Sequence, residues 1–167
     1  QTNDKSLYIF LELLLQTGAR KFSILTLTKK DFNLEHKEVT IKNHKTNTTY
    51  KGFLQDDFIE PLSEYLKDFK INDDIFSYNE NMDYSQTGHK LLTILDKLFN
   101  VGLASNDRKN RVVIHTLRHT MASHLAINGT PIFTIQKLLN HSDINQTLRY
   151  AKLSPEYGKN AIQGLYK

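Results

Sequence analysis

The sequence predicts a mainly helical domain with one small antiparallel β-sheet. Apolar residues recur at helical spacing over most of the chain, while one stretch, Asp31–Leu54, changes to β-favouring residues around a polar turn. At 167 residues the chain has the length of one ordinary domain, so a single core is expected. No internal repeat, low-complexity tract or second domain stands out.

Leu7–Gln16 is apolar on most faces and stops at Thr17-Gly18, a helix with a glycine end. Ala19–Leu27 is expected as a second short helix, weakened by Ser23 and Thr26. Val39-Thr40-Ile41 and Thr48-Thr49-Tyr50 read as strands, and the polar run Asn43–Asn47 between them as a hairpin turn. Asp57–Phe69 carries Ile59, Leu62, Leu66 and Phe69 at helical spacing, with Pro61 tolerable only near its start. Asn72–Tyr84 is expected as a connecting loop and Thr87–Val101 as a helix with Leu91, Ile94, Leu95 and Leu98 on one face. Ser105–Arg111 is a short basic loop. Three helices are expected after it: His115–Asn128, stopped by Gly129; Pro131–Asn140, with Thr130 as N-cap and Pro131 in its first turn; and Asp143–Ala151, capped by Ser142. The tail Pro155–Tyr166 has weak helical character.

Composition narrows the function classes. Hydrophobic residues make up 39% and charged residues 24%, ordinary values for a globular protein. No run approaches the ~20 apolar residues of a membrane helix, since even Leu7–Leu15 is broken by Glu12. No signal-like leader is visible, so a cytoplasmic protein without a membrane partner is expected. Cysteine is absent, which excludes disulfides, thiolate metal sites and cysteine nucleophiles. Lys and Arg outnumber Asp and Glu by 22 to 18, and the pI is about 9.1, a basic excess that permits nucleic-acid binding without demanding it. The chain opens at Gln1 rather than Met, as a piece of a longer protein would.

His115-Thr116-Leu117-Arg118 is the most informative stretch. Residues three apart on a helix share a face, so His115 and Arg118 lie together, beside an apolar stripe expected at Leu117, Met121 and Leu125. Ala122 continues their face with a small side chain that leaves room for a ligand. His115 and His119 have the i, i+4 spacing of zinc proteases, but no Glu follows the first His and Arg118 between them repels a cation. No metal site is expected, and His119 and His124 read as structural. Arg20, at the junction of two helices, lies where backbone N–H groups suit an anion. Lys45 stands at the expected hairpin tip, with Lys42 as its nearby competitor. His141 joins two short helices, and Tyr150 lies on the second.

Taken one at a time, each of these has an ordinary structural reading. The ordered set Arg20, Lys45, His115, Arg118, His141, Tyr150 resembles the tyrosine recombinase, or phage integrase, family. Its signature is Arg, Lys, His-x-x-Arg, His or Trp, then Tyr. TGAR with the following Leu25-Thr26-Leu27 is similar to the family's first box, and the continuous run from His115 to Leu153 is similar to its second. The resemblance covers nearly the whole chain and implies the family's catalytic-domain fold over residues 1–167. An N-terminal DNA-binding domain, which completes a clamp around DNA in family members, is expected to be missing from this chain.

The resemblance also implies a chemistry. Tyr150 would attack a DNA phosphodiester and form a 3′-phosphotyrosine link, Lys45 would protonate the leaving 5′-oxygen, and His115 would act as general base. Arg20, Arg118 and His141 would bind the non-bridging oxygens. Double-stranded DNA is then the partner, with self-association into tetramers on paired sites, and neither metal nor ATP is needed. Alternatives are a strand-passing topoisomerase with a similar site and a non-catalytic site-specific DNA-binding protein. Two positions depart from the family pattern. Asn140 stands where Gly usually precedes the second His, a place Asn tolerates because it adopts left-handed backbone. Ser23 stands where a carboxylate usually follows the first Arg, which leaves the partner of Arg20 unassigned.

Overall fold

The computed structural model describes residues 2–76, 86–155 and 162–163. They fall into two compact units, Gln1–Met121 and Ala122–Lys167.

The first unit opens with α1 (Thr2–Thr17), whose Ile9, Phe10, Leu13 and Leu14 are almost completely buried. Gly18 ends it at φ +59, a left-handed conformation that costs glycine nothing, and its N–H bonds the Leu14 carbonyl. α2 (Lys21–Leu25) is shorter than the expected Ala19–Leu27. The Thr26 hydroxyl turns back to the Phe22 carbonyl, the local competition that disfavours Thr inside helices. A 3₁₀ turn at Lys29–Asp31 follows, closed by a capping box in which Asp31 accepts from the Thr28 backbone and hydroxyl.

The expected hairpin is present as β2 (Glu38–Asn43) and β3 (Thr48–Phe53), paired antiparallel with Ile41 opposite Tyr50 and Val39 opposite Gly52. A two-residue strand β1 (Phe32–Asn33) adds to β2 and makes the sheet three-stranded in the order β1-β2-β3. Val39 and Ile41 of β2 point into the core. α3 (Asp56–Leu66) buries Phe58, Leu62 and Leu66. Pro61 lies in its second turn rather than its start, where its ring removes one backbone bond of the helix. Asn72–Phe76, the described part of the expected connecting loop, makes an isolated bridge between Asp74 and Thr28 and buries Ile75 and Phe76. The rest of that loop lies outside the described residues.

α4 (Gln86–Phe99) buries Leu91 and Leu95 and meets α1, where the Ser6 and Thr87 hydroxyls are 3.1 Å apart. The Ser105–Arg111 loop is polar and turn-rich as expected. Asp107 accepts from the Asn110 side chain and from the Lys109 and Asn110 backbones, bonds that hold its carboxyl below the usual carboxylate range. One core thus fills this unit, from α1, α2, the sheet, α3 and α4 to Ile114 at the start of α5 (Ile114–Ile127).

α5 continues into the second unit and ends at Gly129, φ +78, with the Gly129 and Thr130 N–H groups bonding the Ala126 and Leu125 carbonyls. α6 (Ile132–Leu138) and α7 (Asn145–Leu148) follow, then a 3₁₀ turn at Ala151–Leu153. The capping expectations are corrected here. Pro131 occupies the N-cap of α6 with no side-chain cap bond, and its carbonyl receives the Thr134 and Ile135 N–H groups. Ser142 does not cap α7; Asp143 accepts from the Asn145 backbone instead, because a carboxylate is the better acceptor for an amide. α7 is also much shorter than the expected Asp143–Ala151. Apart from Pro155 and from Ile162 and Gln163, the expected helical tail lies outside the described residues.

Candidate active site

In the first unit the turn after α1 positions Arg20. Thr17 is buried and donates to the Leu13 carbonyl, while its hydroxyl receives the Ala19 N–H, so the backbone leaving Gly18 is fixed on both sides. Arg20 then stands at the N-cap of α2 with extended backbone.

Arg118 comes to the same turn. Its guanidinium donates to the Gly18 carbonyl at 2.5 Å and reaches the hydroxyl of Tyr50 on β3. The charges of Arg118 and Arg20 both act on that phenol, so the two arginines and Tyr50 form one cluster. Burial nevertheless raises the Tyr50 pKa above its ordinary value, outweighing the lowering pull of the arginines. The phenol is therefore neutral at physiological pH. Gly18 and Tyr50 are uncharged neighbours of the Arg118 guanidinium.

Arg118 is only 3% exposed. The buried line of α5 runs through Ile114, Arg118, Ala122 and Ala126, not through the expected Leu117, Met121 and Leu125, which are partly buried. Buried guanidinium is tolerated because its donors are used, and the small alanines that follow keep the same line narrow. His115 is exposed, its ring 4.8 Å from that of His119 in an edge-on arrangement. Among the described residues no group of three or more His, Asp or Glu is arranged to hold a metal ion.

Lys45 lies in the hairpin turn, exposed, with its backbone N–H bonded to the Asn43 side chain. Asn47 supports the turn at φ +53. Lys42, its competitor, sits on β2 opposite Thr49 and faces a cleft beside α2.

In the second unit His141 and Tyr150 are connected through Thr147. His141 Nδ1 lies 2.8 Å from the Thr147 hydroxyl, and Thr147 is fully buried. The Tyr150 N–H bonds the Thr147 carbonyl, so one residue ties the histidine to the segment carrying the tyrosine. Gln136 adds a second hold, exchanging bonds with the His141 backbone. Tyr150 is 5% exposed.

The profile of the phage integrase family matches residues 1–156. The chain belongs to the phage integrase family. It is 31% identical over 153 residues to the tyrosine recombinase XerA of Saccharolobus solfataricus, covering 92% of this chain and 47% of that protein. It is 31% identical over 150 residues to the integrase of Escherichia phage P2, covering 90% of this chain and 39% of that protein. The chain thus spans about half the length of these relatives or less. Among solved structures, the XerH recombinase bound to its difH substrate aligns with a TM-score of 0.71 at 23% identity, over 99% of this chain and 48% of that one. The catalytic domain of bacteriophage HP1 integrase aligns with a TM-score of 0.66 at 22% identity, over 98% and 91% of the two chains. The mainly helical fold with its small sheet is that of tyrosine recombinase catalytic domains.

Both departures from the family pattern have a local account. Asn140 adopts φ +49, the left-handed turn that the usual glycine would take. Ser23, in place of the usual carboxylate, is buried, and the neutral Tyr50 hydroxyl supports the arginine cluster. Tyr50 and Thr147 were not visible as site residues in the sequence. Thr147 had a usable signal, a small polar residue one helical turn before Tyr150. Tyr50 had none, because only folding brings β3 to the turn at Gly18.

Proposed function

We propose that this chain is the catalytic part of a site-specific DNA recombinase that breaks and rejoins strands through a phosphotyrosine intermediate. The observation that carries this reading is the arginine cluster, a buried guanidinium held by two uncharged acceptors beside a second arginine. Two guanidinium groups gathered at one turn suit the negative charge that grows on a phosphate during attack.

In the proposed reaction the Tyr150 oxygen forms a bond to phosphorus, and the bond from phosphorus to the 5′-oxygen breaks. The phenol proton passes to His115, since free Tyr, with a pKa near 10, is neutral at pH 7. Lys45 gives a proton to the departing 5′-oxygen. Arg20, Arg118 and His141 donate to the non-bridging oxygens, each bond to a charged group contributing roughly 1.5–3 kcal/mol. The phosphotyrosine conserves the bond for rejoining, so ATP has no part, and side-chain cations take the place of a metal. Double-stranded DNA is the substrate and a tetramer on paired sites the assembly. A cytoplasmic setting fits both, and no described helix is long and apolar enough to cross a membrane.

The test is covalent trapping on nicked duplexes carrying the protein's own site, selected from a random-sequence library by capture of the adduct. Wild type should form a protein–DNA adduct stable to denaturant, and Tyr150→Phe should bind the same DNA yet form none. An adduct in the Phe variant would reject Tyr150 as the nucleophile.

A further inference from the structure

The hairpin that carries Lys45 stands off α2 across a cleft of about 320 Å³, lined by Ser23 and Thr26 on one side and by Thr40, Lys42 and Thr49 on the other. His44, the residue before Lys45, closes the cleft at the tip. Its ring packs edge-on against Phe22 of α2, with centroids 4.3 Å apart, and its Nε2 lies 2.8 Å from the Thr26 hydroxyl. The same Thr26 hydroxyl lies 3.1 Å from the Phe22 carbonyl, which joins the imidazole to the backbone of α2. A ring contact and a hydrogen bond in different directions fix both the position and the rotation of the imidazole.

This attachment matters because of what α2 carries. Arg20 is its N-cap, so the residues holding His44, Phe22 and Thr26, lie two and six residues beyond the arginine. A two-stranded hairpin tip would otherwise be free to bend away, since the strands below the tip face the cleft. Exposed turns with few buried contacts belong to the least stable parts of a fold.

We propose that His44 is a positioning residue for Lys45: by clamping the hairpin tip onto α2 it holds the lysine at a set distance from Arg20, so that the ammonium meets the leaving oxygen of the phosphate that Arg20 binds. The proposal rests on the reading of Lys45 as the proton donor given above. It adds a residue that never touches DNA, and it accounts for a histidine on an exposed turn whose ring is nonetheless held from two sides.

A 5′-bridging sulfur provides the test, because a thiolate leaves without a proton. The intact protein is assayed for single-turnover adduct formation on nicked duplexes carrying either oxygen or sulfur at that position. His44→Ala should slow cleavage of the oxygen substrate on the order of tenfold, keep the sulfur substrate within about twofold of wild type, and leave DNA affinity unchanged. Thr26→Val, which removes only the hydroxyl under the ring, should give the same selective pattern more weakly. Lys45→Ala is the reference and should show the largest selective rescue. If Lys45→Ala is rescued by sulfur while His44→Ala slows both substrates equally, or neither, the positioning role is overturned and the lysine reading stands. If Lys45→Ala shows no rescue, both fall, and a Lys42→Ala rescue would move the acid to β2. Since His44 is exposed, its loss leaves the core intact, and an unchanged melting temperature separates positioning from unfolding.

Discussion

Arg118 shows how one side chain reconciles burial with chemistry. A guanidinium has five N–H donors in a fixed fork, one of which bonds the Gly18 carbonyl in Arg118. An ammonium has three donors at a single point. Arg118→Lys should therefore keep the charge but lower the single-turnover cleavage rate by about tenfold or more, the loss of at least one charge-assisted bond. A rate within about threefold of wild type would show that the fork is dispensable. Tyr50 sets a milder and separable effect. Tyr50→Phe removes the neutral acceptor, and a cleavage loss of about fivefold with unchanged DNA affinity is expected. It also has a signature in pH. The folded-state pKa of Tyr50 lies above the ordinary value, so the stability linked to its neutral form is complete below about pH 10 and is lost as pH rises through the folded value. Melting curves of Tyr50→Phe should accordingly decline less than wild type between about pH 9 and 11.

The elements show which parts of the structure the sequence disclosed. Helix stops at Gly18 and Gly129 and the turn at Asn43–Asn47 were legible because left-handed backbone needs particular residues. The two-residue β1 was not, being too short to show any alternation. The buried line of α5 was misread for a physical reason: periodicity selects large apolar residues, whereas here an arginine with satisfied donors and two alanines are the buried side chains. Ser142 was likewise a sound cap candidate displaced by its neighbour Asp143. Two substitutions test the local accounts. A Cβ at Gly52 would lie 2.8 Å from Thr17 Cγ2 and 2.9 Å from Ile41 Cδ1, so β3 can approach the end of α1 only with glycine there. Gly52→Ala should cost about 1–3 kcal/mol, read as a lower denaturation midpoint with the same m-value. At Asn140, φ is +49 and the buried side-chain amide nitrogen has no hydrogen-bond partner. Asn140→Gly should hold or raise stability, while Asn140→Ala should lower it by about 1 kcal/mol.

At the scale of the whole molecule the candidate residues divide along the chain. Arg20, Lys45, His115 and Arg118 belong to the first unit, and His141 and Tyr150 to the second. The six candidates stand out in the sequence by residue type and order, and Thr147 by its place one turn before Tyr150; Tyr50 and His44 do not, since their contacts with Arg118 and α2 are made only on folding. The net charge of +4 is modest for a protein proposed to grip DNA, so phosphate binding should rest on few cations. Affinity for duplex DNA should fall with salt, and Arg20→Ala and Lys45→Ala should each reduce the slope of log K against log salt by about one. A slope unchanged by either substitution would place that side chain off the phosphate backbone.

The bond from Arg118 to Gly18 joins residues 100 positions apart. At a synthesis rate of about 5–20 residues per second, its two ends leave the ribosome roughly 5–20 seconds apart. Until the later end arrives, Arg20 sits on a finished turn with no second guanidinium beside it. A nascent or truncated chain ending before α5 therefore carries Arg20 without Arg118, and Tyr150 comes later still. On the proposed chemistry the nucleophile is thus the last of the six candidate groups to be made.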